Sequence, residues 1–245
     1  MKTNLKIAMA ILIFQATASL YAQEDLVRGR LGISQNNFSS IYSGGPMKSD
    51  YQSLNAGLTF IRPSGWYFDA GVKNSISAKW SLNGAGTDSG SSIGNGTDSF
   101  KRQDLTFTVG KALDDGIQVF GGYQQANSSI DLGSSVNNYI EKFNVRGYFV
   151  GAGKTFPLSV GSINLNGAVG QMKARLLDAT ATWNDSNSGS GYSVGATYSY
   201  PLAEKTTLSF EYKFQAYNYK FGSSSPNTGG DDKLQVLGAN ISYRF

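Results

Sequence analysis

Taken in steps of two among small polar residues, Arg28, Arg30, Lys73, Lys79, Arg102, Arg146, Lys213 and Arg244 fall on the polar rows of alternating segments. Asp69, Asp104 and Glu211 join them there. Eight cations against three anions on one set of faces point to electrostatic chemistry. Such side chains either pair and fill a space, or draw small anions into it. Proton transfer has little to work with, because the chain has no histidine and no other side chain titrates unperturbed near neutral pH. The carboxylates Asp88 and Asp98 are flanked by Gly and Ser with no orienting partner, as an activated nucleophile would need. No triad, glycine-rich phosphate loop or metal-ligand cluster is present, and cysteine is absent. The expectation is a protein that is not an enzyme, with no catalytic residue, cofactor or metal.

The elements that must carry these rows are β-strands. Period-2 alternation is clearest over residues 66–82, where Trp66, Phe68, Ala70, Val72, Ile76, Ala78, Trp80 and Leu82 form an apolar face that only Asn74 interrupts. Ten strands are expected near 26–34, 51–62, 65–82, 100–113, 116–128, 143–156, 161–176, 191–202, 205–221 and 233–245. Tight connections such as Pro63-Ser64-Gly65 and Asp114-Asp115-Gly116 carry turn-forming residues. They alternate with longer Ser-, Gly- and Asn-rich stretches at 35–50, 83–99, 129–142, 177–190 and 222–232.

An even number of strands, short turns at one end and long loops at the other imply an all-β fold: a transmembrane, antiparallel, up-and-down β-barrel with periplasmic turns and extracellular loops. A soluble barrel would point its apolar rows inward, but the polar rows here carry many charges and no room-filling apolar set. Aromatic residues also gather toward strand ends (Trp66, Trp80, Tyr200, Tyr243, Phe245), as interface girdles do.

The two ends of the chain agree. Lys2 and Lys6 precede the apolar run Ile7–Phe14 and a small-residue stretch, the pattern of a secretory signal peptide. Residues 1–22 are expected to be cleaved, leaving 23–245 as a single barrel domain. Loss of the two lysines lowers the formal charge from +4 to +2, too little to indicate a nucleic-acid partner. At the other end, Leu237, Ala239, Ile241, Tyr243 and Phe245 alternate with Gly238, Asn240, Ser242 and Arg244. With the signal peptide and the alternating strands, this ending resembles the small bacterial outer-membrane β-barrel proteins. The resemblance implies residence in the outer membrane as a multi-pass barrel among lipid and lipopolysaccharide. It also implies that the C-terminal strand is a recognition signal for the barrel-assembly machinery.

With the apolar rows toward lipid, Arg28, Arg30, Asp69, Lys73, Arg102, Asp104, Arg146, Glu211, Lys213 and Arg244 are expected to line the interior. The cation excess suggests a narrow passive channel with anion preference, open to small anionic solutes. The alternatives are a closed barrel that serves as an adhesin or interaction protein through its loops, or a structural protein of the outer membrane. Ten strands fall between the roughly eight whose interior side chains fill and the roughly sixteen that leave a water channel. Acids in the loop stretches, Asp50, Asp88, Asp98, Asp131, Glu141, Asp178, Asp185, Asp231 and Asp232, outnumber Lys48, Lys142 and Lys233 there.

Overall fold

A computed structural model of the chain describes residues 25–42, 45–83, 92–97, 100–131, 140–177, 183–221 and 229–245. The expected signal peptide lies outside the described residues. The strands are β1 (Leu26–Tyr42), β2 (Gly45–Ile61), β3 (Trp66–Asn83), β4 (Ser92–Thr97), β5 (Phe100–Ala112), β6 (Ile117–Asp131), β7 (Ile140–Pro157), β8 (Ser162–Leu177), β9 (Trp183–Ala203), β10 (Thr206–Phe221) and β11 (Gly229–Arg244). All pairings are antiparallel, and β1 pairs with both β2 and β11, which closes the sheet on itself. Short β4 and long β5 lie in turn along the same edge of β3, so the barrel has ten staves.

The tight turns keep the left-handed backbone that glycine supplies. Gly65, Gly116 and Gly161 have φ of 83°, 73° and 83°, and a Cβ at Gly161 would stand 2.2 Å from the Ser199 carbonyl oxygen.

The outer wall carries a belt of apolar side chains open to the surroundings: Leu31, Tyr148, Val150 and Leu237 are 64–72% exposed, and Ile33, Phe107, Val169 and Ile241 more than half. So much bare apolar surface around a closed sheet is stable against acyl chains and costly against water. At its turn end the belt is rimmed by Trp66, Phe156, Tyr200, Tyr243 and Phe245. Lys111 and Lys154 fold over Trp66 and Phe156 at 5.7 and 5.6 Å, reaching from apolar stem to polar boundary.

The strands are longer than a bilayer requires. A crossing takes ~9–11 residues, while β7 has 18 and β9 has 21. The excess stands above the belt, and the stretches expected to be loops are partly strand. β1 and β2 pair up to Tyr42↔Gly45, and β9 and β11 begin at Trp183 and Gly229. Above the belt the outer wall meets water, so its rows become polar (Gln35, Asn37, Asp50, Gln52, Lys233, Gln235), and apolar residues turn inward. Phe38, Tyr51, Ala78, Phe100, Leu234 and Val236 form one interior cluster; Phe143, Val145, Met172, Ala174, Tyr217 and Tyr219 form a second.

The apolar row expected over residues 66–82 also slips once. The β2–β3 register jumps from Gln52↔Ser77 to Ser53↔Ser75, leaving Ile76 as the extra residue of a bulge. Beyond it the alternation inverts, so that Ala78 is buried inside while Ile76 stays 54% exposed outside.

Candidate functional site: the charged interior and the extracellular collar

Interior positions are set by strand alternation from the turn end upward. Arg28 and Arg244 are Cα partners in the β1–β11 ladder at the bottom. One step higher, Arg30 reaches over Gly57 to Asp69. Its Nη2 donates to Asp69 Oδ1 at 2.9 Å, its Nη1 donates to Oδ2, and the Thr59 hydroxyl donates to the same carboxylate at 2.6 Å. Glycine at 57 makes the crossing possible, since a Cβ there would come within 2.4 Å of the guanidinium carbon.

Above this pair lies a polar layer. Asn36 donates to Ser53 Oγ at 2.9 Å, Ser34 and Ser53 share a hydrogen bond of 2.8 Å, and Lys73 Nζ donates to Asn36 Oδ1 at 3.4 Å. Glu211 and Lys213 share the interior row of β10, and the Glu211 side chain lies against Gly238. Lys213 borders a cavity of ≈ 140 Å³ that Thr106, Thr108, Asn166 and Ser193 also line.

Arg102 marks the boundary between the polar layer and the aromatic clusters. Its side chain is 5% exposed; Nε donates to Asp104 Oδ1 at 2.9 Å and Nη1 to Ser128 Oγ at 3.5 Å. The guanidinium carbon sits 4.8 Å from the centroid of the Phe38 ring, a cation–π contact in a dry setting. On the far side of the barrel Gln124 donates to the Tyr217 hydroxyl at 2.5 Å and accepts from Gln215 at 3.4 Å.

Nine of the ten residues expected inside therefore stand on interior rows. Arg146 does not. In β7 the interior positions are Phe143, Val145 and Gly147, and Arg146, opposite Gln125 and Lys173, is exposed on the outer wall. The polarity rule behind the expectation holds only inside the lipid belt; above it the outer row is the polar one. The side chain of Lys79 lies outside the described residues. The C-terminal residues Leu237, Ile241, Tyr243 and Phe245 are 44–65% exposed on the outer wall, and the Phe245 backbone N–H donates to the Val27 carbonyl at 3.0 Å.

Sequence reasoning missed Asp232, placing it in a loop. It is 2% exposed inside the barrel and accepts a hydrogen bond from Ser40. Its outward neighbours Asp231 and Lys233 are exposed, so this level stands above the belt. Counting back from Arg244 in twos lands on Ser242, Asn240, Gly238, Val236, Leu234 and Asp232, and that signal was available. Burial pushes the Asp232 carboxyl from 3.8 up to about 6, against the pull of the Ser40 hydroxyl and the Arg102 cation. A carboxyl raised on folding stabilises fully below its unfolded value and loses that contribution as pH rises through the folded one. Stability from Asp232 is thus complete below about pH 4 and gone above about pH 6, a swing of up to about 3 kcal/mol. Urea unfolding of Asp232→Asn between pH 4 and 7 is expected to show a flatter pH dependence than the parent; equal slopes would refute the assignment.

No protein-family model matches the chain, and no curated protein matches it in sequence. Solved structures do. The chain superposes on the outer membrane protease OmpT from Escherichia coli with a TM-score of 0.61 at 9% identity, covering 92% of this chain and 98% of that one. It superposes on the translocator domain of the autotransporter NalP from Neisseria meningitidis with a TM-score of 0.52 at 13% identity, covering 100% and 98%. The fold is that of a bacterial outer-membrane β-barrel. With the lipid belt around it, the protein is a multi-pass resident of the outer membrane. One expectation is overturned: a protease shares this barrel over most of its length, so the architecture is compatible with enzymatic activity, and the lack of histidine does not make the chain a non-enzyme.

Proposed function

We propose that the protein is a closed outer-membrane barrel that works at its outer surface as an adhesin or interaction protein. The carrying observation is the filling of the extracellular half. Phe38, Tyr51, Phe100, Leu234 and Val236 are each at most 3% exposed, as are Met172, Ala174 and Tyr219 on the opposite side. Side chains so inaccessible support a filled interior at this level. The exposed C-terminal row fits engagement by the barrel-assembly machinery, and the outer belt fits lipid and lipopolysaccharide.

A specific observation favours the second reading, a narrow passive channel with anion preference: Lys213 borders the ≈ 140 Å³ cavity at mid-barrel. The discriminating measurement is purified protein in planar bilayers under a salt gradient. The closed reading expects no unitary conductance. Steps with a reversal potential on the anion side would overturn it in favour of the channel.

A further inference from the structure

The inside of the barrel changes character at one level. On β7, β8 and β10 the inward rows are buried from Gly147, Met172 and Gln215 upward, and part-exposed below, as at Phe149, Asn166 and Lys213. A bridge of side chains crosses the barrel at that step: Gln124 donates to the Tyr217 hydroxyl at 2.5 Å and accepts from Gln215 at 3.4 Å. All three residues border the ≈ 140 Å³ mid-barrel cavity. They roof it on the extracellular side, and its part-exposed walls continue toward the turns.

The lining has an apolar part and a polar part. Phe120 and Phe149 meet edge to face, with centroids 6.3 Å apart and planes at 68°. Each ring leans on a glycine of the neighbouring strand: a Cβ at Gly151 would come within 2.5 Å of Phe120, and one at Gly122 within 2.6 Å of Phe149. A larger residue at either place would drive the ring into the lumen, so the glycines keep the space open. The polar part is Thr106, Thr108, Ser193 and Lys213. Among the described residues their hydroxyls and ammonium have no hydrogen-bond partner. The charges that act on Lys213 are Lys73, Glu211 and Asp104. Asp104 is engaged by Arg102 at 2.9 Å, which leaves two ammonium groups against the single carboxylate of Glu211. A charge unmatched in an enclosed space is costly until an opposite charge joins it.

We propose that this cavity binds one small organic carboxylate that enters from the periplasmic end, its carboxylate on Lys213 and the free hydroxyls and its apolar body against Phe120 and Phe149. A carboxylate only accepts hydrogen bonds, and the ammonium and hydroxyls supply the donors. A cavity of about 150 Å³ holds one benzene ring, so a body of that size fits. Edge-to-face rings also offer a third ring the arrangement that aromatic groups prefer. Entry from the periplasm rests on the closed reading of the barrel; the site itself does not.

The test is calorimetry on the full-length purified barrel in non-ionic detergent, with the heat of each probe into empty micelles subtracted. The probes are benzoate, benzyl alcohol and chloride. Benzoate is expected to bind at least tenfold more tightly than benzyl alcohol, which has the ring without the charge, and chloride at equal concentration is expected not to displace it. Lys213→Gln is expected to weaken benzoate at least tenfold and to leave benzyl alcohol unchanged. Ser193→Leu, which fills the cavity and keeps every charge, is expected to weaken both, and it carries the test if Lys213→Gln does not fold. Equal binding of benzoate and benzyl alcohol, displacement by chloride, or benzoate affinity unchanged in the folded variants would overturn the proposal. Unitary conductance in planar bilayers would instead overturn the closed reading, and the calorimetry would still decide the site.

Discussion

Asp104→Ala is expected to destabilise the barrel by about 3–5 kcal/mol, the usual cost of stranding one member of a buried ion pair. Arg102 is a deeply enclosed cation, with a side chain 5% exposed. It would be left with Ser128 at 3.5 Å and the Phe38 ring. Neither replaces a carboxylate at 2.9 Å. The cost should come from the uncompensated charge and not from the pair itself, so Asp104→Ala combined with Arg102→Met should recover most of the loss. Urea unfolding of the three variants in lipid vesicles checks this. A double variant no more stable than Asp104→Ala would show that the carboxylate acts through something other than Arg102. The Arg30–Asp69 pair provides an internal scale. Its side chains are 32% and 19% exposed, water screens it, and Asp69→Ala should cost less.

The second large effect concerns permeation. Phe38 stacks on Phe100 with centroids 6.1 Å apart and roofs Arg102. Tyr219 meets Phe143 edge-on at 5.9 Å in the opposite cluster. Phe38→Ala with Tyr219→Ala removes one ring from each side of the extracellular fill, and should turn a barrel silent in planar bilayers into a conducting one. The newly reached cation is Arg102, so the conductance should prefer anions. Each truncation costs about 3–5 kcal/mol, and the gel mobility of the unheated barrel confirms folding before any trace is read; the single variant Phe38→Ala serves if the double fails. A folded variant that stays silent would place the closure elsewhere than in these rings.

The lipid-facing half of this architecture was legible in the sequence because one rule governs it. Trp66, Phe68, Ala70 and Val72 alternate with polar partners since one face must meet acyl chains and the other must not. The extracellular half was harder to read because the rule inverts there. Phe38 and Asp232 sit in stretches whose serine, glycine and asparagine content reads as loop, yet they continue the interior rows of β1 and β11. Arg146 was misplaced by the same inversion. The bulge at Ile76 left one trace, the polar Asn74 in an otherwise apolar row, but a bulge depends on the register of two neighbouring strands and no single strand encodes it. What the sequence could locate were side chains on faces. Which of them touch, as Arg30 with Asp69 across Gly57, depends on registers that only the closed sheet fixes.

That Ser40 holds Asp232, 192 residues along the chain, has a consequence for the order of assembly. β1 is the first stave synthesised and β11 the last, and until both exist each end of the growing sheet exposes unpaired backbone to any passing strand. No partial barrel can shelter Asp232, complete the aromatic fill around Phe38, or hide its edges. All three are achieved in one late event that joins distant parts of the chain, which is slow by its topology. A helper that holds the unfinished edge therefore acts on a timing problem: it keeps a nearly complete sheet from finding the wrong neighbour before its own last strand arrives.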